Sequence, residues 1–254
     1  MDKSYEKKYH LLEEDNWWFL ARRQAVFSII EKFPKETRIL DIGCSGGVLL
    51  KILKSKGYLN LTGIDFSPEA IAQCKKNGLD NVFVMDAHTP AFADESFDLI
   101  ISSDCLEHLK DDELALKSWQ RILKRGGEAV IFVPAFMSLW SEHDIINHHF
   151  RRYRKKELIE KSERAGFVVE KASYWNFLLF FPAYLYRKMR MMGGASPKAP
   201  KDDLGSFNPV VNNVLKGSMG VENIVFRYFG LPIGLSVMVI LKNRVTADTV
   251  MGKN

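Results

Sequence analysis

The chain has 254 residues, of which 46% are hydrophobic and 26% charged, and 36 Lys and Arg stand against 31 Asp and Glu for a formal net charge of +5. This composition is typical of a globular protein with a sizeable core, and it excludes global disorder. The positive charge is mild and does not predict nucleic-acid binding.

The three cysteines, Cys44, Cys74 and Cys105, form no C-x-x-C pair, which argues against a disulfide framework or a zinc knuckle. The N-terminal residues lack the basic-then-apolar pattern of a signal peptide. No run approaches the roughly 18 apolar residues that span a bilayer. We therefore expect a cytoplasmic protein.

Hydrophobic periodicity predicts a helical N-terminal segment over 5–33, inside which Asp15-Asn16 is a candidate cap of a second helix. Short apolar runs then alternate with amphipathic segments. Four helices are predicted after the N-terminal segment. One follows the turn 43–47 and ends at about residue 56, one begins at the Ser67-Pro68 cap, and two cover 111–124 and 155–165. Strands are predicted at 38–42, 59–65, 81–85, 97–102, 128–133, 167–172 and 236–242. This alternation predicts an α/β fold with a Rossmann-like, doubly wound parallel sheet.

The turn after the first predicted strand, Asp41-Ile42-Gly43-Cys44-Ser45-Gly46-Gly47, is the strongest signal in the chain. Glycines let a ligand approach the backbone, and the amides of the following helix point at that ligand. The spacing is not the G-x-G-x-x-G of a nicotinamide dehydrogenase. It resembles the D-x-G-x-G-x-G turn of class I S-adenosylmethionine-dependent methyltransferases, with Ser45 in place of the middle glycine.

Further motifs of that family follow in order. The segment 63–67 resembles the second-strand motif, and a carboxylate at Asp65 can accept both hydroxyls of a ribose. Met85-Asp86-Ala87 resembles the third-strand motif, which implies that Asp86 binds the adenine amino group. The segments 97–100, 106–108 and 123–127 resemble the fourth-strand motif and the turn before the fifth strand.

The resemblance is strongest over 36–135. It implies S-adenosyl-L-methionine as cofactor, methyl transfer as the reaction, and a seven-stranded sheet whose last strand, 236–242, is antiparallel. The cofactor-binding residues expected in this region are Asp41, Gly43, Cys44, Ser45, Gly47, Asp65, Phe66, Ser67, Asp86, Ala87, His88 and Ser103.

The N-terminal segment is expected to complete the cofactor site. Its Trp17-Trp18-Phe19 and Arg22-Arg23 form an aromatic-basic cluster, and related methyltransferases close the cofactor pocket with such a helix. Arg22 is expected to clamp the methionine carboxylate, with Trp18 beside it. The alternative is a helix docked by its aromatic face with its arginines in solvent.

The segment 140–153 follows the fifth strand, a position that the resemblance places over the sulfonium. We expect His143 and His149 to act as catalytic or acceptor-orienting groups, because histidine exchanges protons near neutral pH, with Arg152 and Tyr153 in support.

Two alternatives stay open for this segment. It can be a packed loop-to-helix junction whose basic residues are a solvated face. A metal set of His143, Asp144, His148 and His149 is also conceivable, but no second carboxylate pair supports it, and no metal is assigned.

The block 174–235 holds an aromatic run from Tyr174 to Tyr186, a basic cluster that ends at Met192, and a Gly/Pro/Asn-rich stretch. The aromatic and basic part, 174–192, is too short to span a bilayer. It can be a lid over a hydrophobic acceptor pocket, a peripheral membrane contact, or a homodimer contact. The first two imply an apolar or lipid-linked acceptor.

We expect one domain over 1–254, with an N-terminal helical cap (1–35), a cofactor-binding core (36–173), an insertion or lid (174–235), a last strand (236–243) and a tail (244–254). The expected function is in-line methyl transfer to a small-molecule or lipid-linked acceptor. Ser102-Ser103-Asp104-Cys105 stands where nucleobase-amine methyltransferases carry Asn-Pro-Pro-Tyr, which disfavours those substrates. The alternative is a cofactor-binding scaffold module without catalysis.

Overall fold

The computed structural model describes residues 12–192 and 208–244. These residues form two compact units. The sheet unit comprises the described residues of Phe33–Val133, Lys155–Ala172 and Met238–Asn254. The helical unit comprises those of Met1–Lys32, Pro134–Arg154 and Ser173–Val237. The prediction of a single domain over the whole chain stays a prediction.

The strands are β1 (Arg38–Ile42), β2 (Asn60–Asp65), β3 (Val82–Val84), β4 (Phe97–Ser103), β5 (Leu123–Pro134), β6 (Phe167–Trp175) and β7 (Ser236–Asn243). They form a seven-stranded sheet in the order β3-β2-β1-β4-β5-β7-β6. Strands β1 to β5 pair with one another in parallel, and the last strands of the sheet are antiparallel. The predicted Rossmann-like fold with an antiparallel last strand is confirmed.

The helices are α1 (Trp17–Ile30), α2 (Val48–Ser55), α3 (Pro68–Lys76), α4 (Asp112–Ile122), α5 (Glu142–Ile146), α6 (Lys155–Arg164), α7 (Phe180–Met192) and α8 (Pro209–Tyr228). Both predicted caps are confirmed, because the Asn16 side chain accepts from the Trp18 amide and the Ser67 hydroxyl accepts from the Ala70 amide. Across 12–192 and 208–244, no helix combines the length and hydrophobicity needed to cross a membrane.

Three predicted boundaries are wrong. The fifth strand begins at Leu123 rather than at residue 128, because Leu123 pairs with Phe97 ahead of an irregularity in the β4–β5 ladder. The sixth strand continues to Trp175, so Tyr174 and Trp175 are strand residues and not the start of an insertion. The helical N-terminal segment ends at Ile30 rather than at residue 33; residues 12–15 and α1 are helical on either side of Asn16, and residues 1–11 lie outside the described part.

The centre of the sheet is the core of the sheet unit. Ile39, Leu40 and Ile42 of β1 are fully buried, and β4 and β5 contribute runs of buried aliphatic side chains beside them. Strands that are buried on both faces are expected to be mostly apolar, and the runs 99–101 of β4 and 129–133 of β5 are, whereas β1 is interrupted by the buried Asp41. The register aligns Ile42 with Ile64 of β2 and Ser102 of β4, which brings the carboxyl ends of these strands to one edge of the sheet.

Candidate functional site

The turn that joins β1 to α2, residues 43–47, lies at this edge and is held by the neighbouring elements. The amides of Gly43 and Cys44 both donate to the Ile64 carbonyl of β2, at 2.9 and 3.0 Å. From the side of α3, the Cys74 thiol donates to the Ser45 carbonyl at 3.0 Å and the Asn77 side-chain amide to the Gly46 carbonyl at 2.9 Å. The turn is therefore fixed by contacts with β2 and α3.

Two glycines in the turn have no room for a side chain. A Cβ on Gly43 would lie 2.8 Å from the Cys105 Cβ, and one on Gly47 would meet Leu79 and lie 2.8 Å from the Cys74 sulfur. Both glycines also have left-handed backbone, with φ of 76° and 77°. The space and the conformation each require glycine at these positions.

Ser45 occupies the position where the related turn has its middle glycine, and its φ is also positive, at 49°. A side chain in this region carries strain, which serine tolerates less well than glycine. The Ser45 amide donates to Oδ2 of Asp65 at 2.9 Å. Ser45, which replaces the glycine, therefore has a left-handed backbone, and its amide is bound by Asp65 at the end of β2.

Asp65 ends β2 and organises the chain on both sides of it. Its Oδ2 accepts from Ser45, and its Oδ1 accepts from the Ser67 amide at 2.9 Å. Each carboxylate oxygen can accept a second hydrogen bond, so the acid can also bind a pair of hydroxyls. Phe66, directly after it, is 81% exposed, an unusual position for a large aromatic side chain.

The loop after β3 presents the second acid. Oδ1 of Asp86 accepts from the amide of His88 and contacts its Nδ1, both at 2.8 Å. The hydrogen bond from the His88 amide, which outweighs the effect of burial, lowers the pKa of Asp86. From α4, the buried Trp119 donates its indole proton to the Ala87 carbonyl at 2.8 Å. The loop is therefore rigid and carries an ionised, half-exposed carboxylate.

The cysteines near this edge are packing residues. Cys44 and Cys74 are buried in an apolar cluster with Leu50, Ile71, Leu79 and Val82, and all three cysteines are free thiols. The Cys74 hydrogen bond and burial raise the pKa of Cys44, and burial raises that of Cys105. Both thiols are protonated at neutral pH and are not nucleophiles.

Ser103, at the end of β4, donates to Asp104 at 3.3 Å.

These features fit the cofactor that the sequence predicts. A fixed turn without side chains admits the backbone-contacting part of a ligand, and Asp65 is suited to a ribose. Asp86 supplies an acceptor for an amino group, and the exposed Phe66 ring offers a surface for a heterocycle. The sheet unit thus holds together the predicted residues from Asp41 to Ser103.

Arg22 and Trp18 belong to the helical unit. Arg22 is not in solvent, as the alternative of a helix docked only by its aromatic face would require. Arg22 is 3% exposed and donates to the Ser236 hydroxyl at 2.7 Å. Its guanidinium lies 4.3 Å from the ring centre of Trp175 and 5.2 Å from that of Trp18. The aromatic-basic cluster is therefore a buried cation–π arrangement. Its role toward a carboxylate stays a prediction.

His149, also in the helical unit, belongs to a buried charged network. Its Nδ1 lies 2.8 Å from Oδ1 of Asp144. Arg152 donates to the same carboxylate through Nε at 2.7 Å and through Nη2 at 2.8 Å, which is bidentate pairing. Asp144 is fully buried, so Arg152 is not part of a solvated basic face.

The network sets the protonation of its members. Burial raises the pKa of Asp144, but the hydrogen bonds from His149 and Arg152 outweigh it and hold that pKa well below its usual range. Burial lowers the pKa of His149 below its ordinary 6.5, against the opposing effect of Asp144. At neutral pH the imidazole is therefore uncharged. A carboxylate only accepts, so the proton is on Nδ1 and Nε2 is the basic nitrogen.

The predicted catalytic residues include His149 and Arg152 of this network but not Asp144. Its carboxylate also accepts from the Ser141 amide at 2.8 Å, which completes a capping box at the start of α5. The pattern Ser-x-x-Asp was visible in the sequence as a cap, but its link to His149 was not. His143 contacts Asn147, the residue directly after α5, and Tyr153 is fully buried; the catalytic roles of His143 and Tyr153 stay predictions.

A family comparison identifies the segment that carries the turn and both acids. Residues 40–131 match the family model described as a methyltransferase domain. This segment runs from β1 into β5 and includes Gly43, Asp65 and Asp86.

Curated relatives and solved structures agree with this match. The chain is 32% identical to the demethylmenaquinone methyltransferase of Thermotoga maritima over 49% of its own length and 56% of that protein. It is 31% identical to a ubiquinone biosynthesis O-methyltransferase of Xanthomonas oryzae over 36% of its own length and 40% of that protein. The chain thus spans about half the length of these relatives. A Haloferax volcanii complex of the Trm112 methyltransferase activator with a methyltransferase contains a similar fold, with a TM-score of 0.62, 20% identity and 95% coverage of both chains.

Proposed function

We propose that this chain is a class I S-adenosylmethionine-dependent methyltransferase that transfers the sulfonium methyl group to a small-molecule or lipid-linked acceptor. When bound, the cofactor supplies an activated methyl group, and the protein needs to align the acceptor and keep water away from it. Alignment alone can supply roughly 7–11 kcal/mol of barrier reduction in favourable intramolecular cases.

The observation that carries the proposal is the link between the glycine turn and Asp65. The carboxylate bonds the Ser45 amide of the turn and the Ser67 amide of its own loop, so the turn and the acid form one preformed unit. Preformed groups bind a ligand without the cost of ordering them first. Asp65 would hold the ribose, and Asp86 the adenine amino group.

The acceptor class is inferred from the relatives and from the surface of the chain. Both relatives named above take part, by their names, in the chemistry of quinones. The helical unit also exposes many large apolar side chains, including Phe181 and Leu185. A prenylated hydroquinone is therefore the first acceptor to test, followed by other lipid-linked hydroxyl compounds.

His149 is our candidate for the base that removes a hydroxyl proton from the acceptor. It is uncharged at neutral pH, and Asp144 stabilises the imidazolium that forms when Nε2 takes up a proton. Arg152 keeps Asp144 ionised and fixed, so it would be a positioning residue.

The experiment has two stages. Titration calorimetry with S-adenosylmethionine and with S-adenosylhomocysteine tests cofactor binding, and we expect saturable heat that Asp65→Asn weakens. Transfer of radiolabelled methyl to a panel of hydroquinones, phenols and lipid-linked glycans then tests the reaction. Absence of cofactor binding would refute the proposal. Binding without transfer to any member of the panel would favour the scaffold alternative.

A further inference from the structure

Helix α8 exposes a row of large apolar side chains along one face. Val210, Val214, Val221, Ile224 and Tyr228 recur at intervals of three, four or seven residues, and each is between 63% and 70% exposed. This spacing places them on one face of a helix. Single exposed apolar residues are ordinary, but a row of them along 20 residues marks an interaction surface.

The opposite face of α8 is fixed to the rest of the helical unit. Met219 and Phe226 are fully buried. Asn223 accepts from the Trp175 indole at 2.8 Å and donates to the Ala21 carbonyl of α1 at 2.9 Å. The helix therefore cannot turn its apolar row inward without losing these contacts.

Helix α7 adds a second exposed row. Phe181, Leu185 and Met189 follow one another at intervals of four residues and are 60%, 60% and 63% exposed. Tyr186 on the same helix is 55% exposed. Both α7 and α8 of the helical unit thus expose a row of large apolar side chains.

The charges on these helices have one sign. Helix α7 has no acidic residue in its sequence. The one acid of α8, Glu222, is 4% exposed and accepts from the amides of Phe177 and Leu178 at 3.0 Å. Lys188 of α7 and Lys216 of α8 are exposed. The outward side of both helices is therefore apolar and cationic.

We propose that the exposed faces of α7 and α8 dock on the surface of a lipid bilayer that contains anionic lipids. Apolar side chains enter the boundary between headgroups and acyl chains, and lysines meet the negative headgroups. Pairing with a second copy through the same faces would bring Lys188 and Lys216 against cations, because the acid of α8 is buried and Glu31, the acid beside α8, is already paired with Arg227 at 2.6 Å. The cationic and apolar surface therefore favours the bilayer as partner, and docking there requires neither the cofactor nor an acceptor.

The test is co-sedimentation of the whole chain with vesicles of phosphatidylcholine alone and of phosphatidylcholine with about one third phosphatidylglycerol. We expect binding to the anionic vesicles and much weaker binding to the neutral ones. Ile224→Glu should weaken binding to anionic vesicles about tenfold or more, because it puts a charge where an apolar side chain enters the lipid. Lys216→Gln should weaken it about fivefold, with little change on neutral vesicles.

A matched control is Leu59→Glu, which makes the same kind of change at a side chain of 70% exposure in the sheet unit. It should bind vesicles like the unaltered chain. If Ile224→Glu does not fold, as judged by circular dichroism melting, Val210→Glu replaces it, since an acid in the first turn of a helix is favourable. Failure to bind anionic vesicles, or equal losses in Leu59→Glu and the α8 variants, would overturn the proposal. So would a dimer in light scattering that Ile224→Glu converts to a monomer.

Discussion

His149 and Asp144 form a 2.8 Å contact in which the acid is fully buried and the histidine side chain is 7% exposed. The pair has the arrangement of a general base and the carboxylate that orients it. The carboxylate fixes the proton on Nδ1, and burial keeps the imidazole uncharged. Because Arg152 bonds the same carboxylate, loss of any member disturbs the other two.

The first prediction concerns the pH dependence of methyl transfer to a hydroxyl acceptor. The pKa of His149 lies below 6.5, so the active, neutral form is lost only as the pH falls below that value. We expect an acidic limb there in kcat/KM, and His149→Gln should remove the limb and lower kcat by about 10²–10⁴-fold. The control is His148→Asn at the exposed neighbouring residue, where φ is 56° and asparagine is tolerated. An unchanged limb in His149→Gln would exclude His149 as the base.

The second prediction concerns stability. Arg152→Gln leaves the Asp144 carboxylate buried without its bidentate partner, and we expect a loss of about 3–5 kcal/mol in the free energy of unfolding at pH 7. Arg164→Gln, which breaks an exposed pair with Glu113, should cost far less, because solvent screens the pair. Urea unfolding measures both.

The pH dependence of the stability loss in Arg152→Gln shows whether Arg152 acts through its charge or only through packing. In the unaltered chain the folded pKa of Asp144 is lowered, so its stabilising contribution is full above its ordinary pKa of 3.8 and is lost as the pH falls toward the folded pKa. Without Arg152 the folded pKa rises, and the variant takes up a proton at higher pH. The difference in stability should therefore narrow as the pH falls to about 4. A constant difference would indicate that Arg152 acts through packing.

Local signals made the cofactor side of the fold predictable. The turn 43–47 and the Ser67-Pro68 cap depend on residues close together in the chain, and both form where the sequence places them. Parallel strands then bring Asp65 to the turn, because their carboxyl ends share one edge of the sheet.

Contacts between distant residues account for what the sequence did not show. No helix is predicted for 209–228, since Gly217, Gly220 and several asparagines lower its helix propensity. Buried Met219 and Phe226 and the Asn223 hydrogen bonds stabilise α8 from the rest of the helical unit. Asp144 was considered only as a metal ligand, and its pairing with Arg152 was not predicted, because the two residues are eight apart in the chain and periodicity does not pair them.

The third prediction separates the two reasons for glycine at position 47. Gly47→Ala and Gly57→Ala both put a side chain on left-handed backbone, with φ of 77° and 88°. A Cβ at Gly57 meets nothing within 4 Å, whereas at Gly47 it meets Leu79 and Cys74. We expect Gly57→Ala to lose about 1–2 kcal/mol of unfolding free energy from the backbone alone. Gly47→Ala should lose a further 1–3 kcal/mol or so through steric overlap and should also weaken cofactor binding in calorimetry. Equal losses, or unimpaired binding in Gly47→Ala, would mean that the close approach at this turn is unimportant.

The fourth prediction tests Asp65 as the acid that joins the turn to the ribose. Asp65→Asn keeps the shape of the side chain, but only one of its two terminal atoms can still accept from the amides of Ser45 and Ser67. The other atom becomes a donor that faces an N–H group, so one hydrogen bond is replaced by a repulsive contact. The variant also lacks the charge that strengthens a hydrogen bond from a ribose hydroxyl, and such a bond contributes about 1.5–3 kcal/mol, which corresponds to roughly 10–150-fold in the Kd for S-adenosylmethionine. Asp80→Asn, at an exposed acid in the loop before β3, is the control and should leave the Kd unchanged. If both variants bind the cofactor as tightly as the unaltered chain, Asp65 only shapes the loop and another group must bind the ribose.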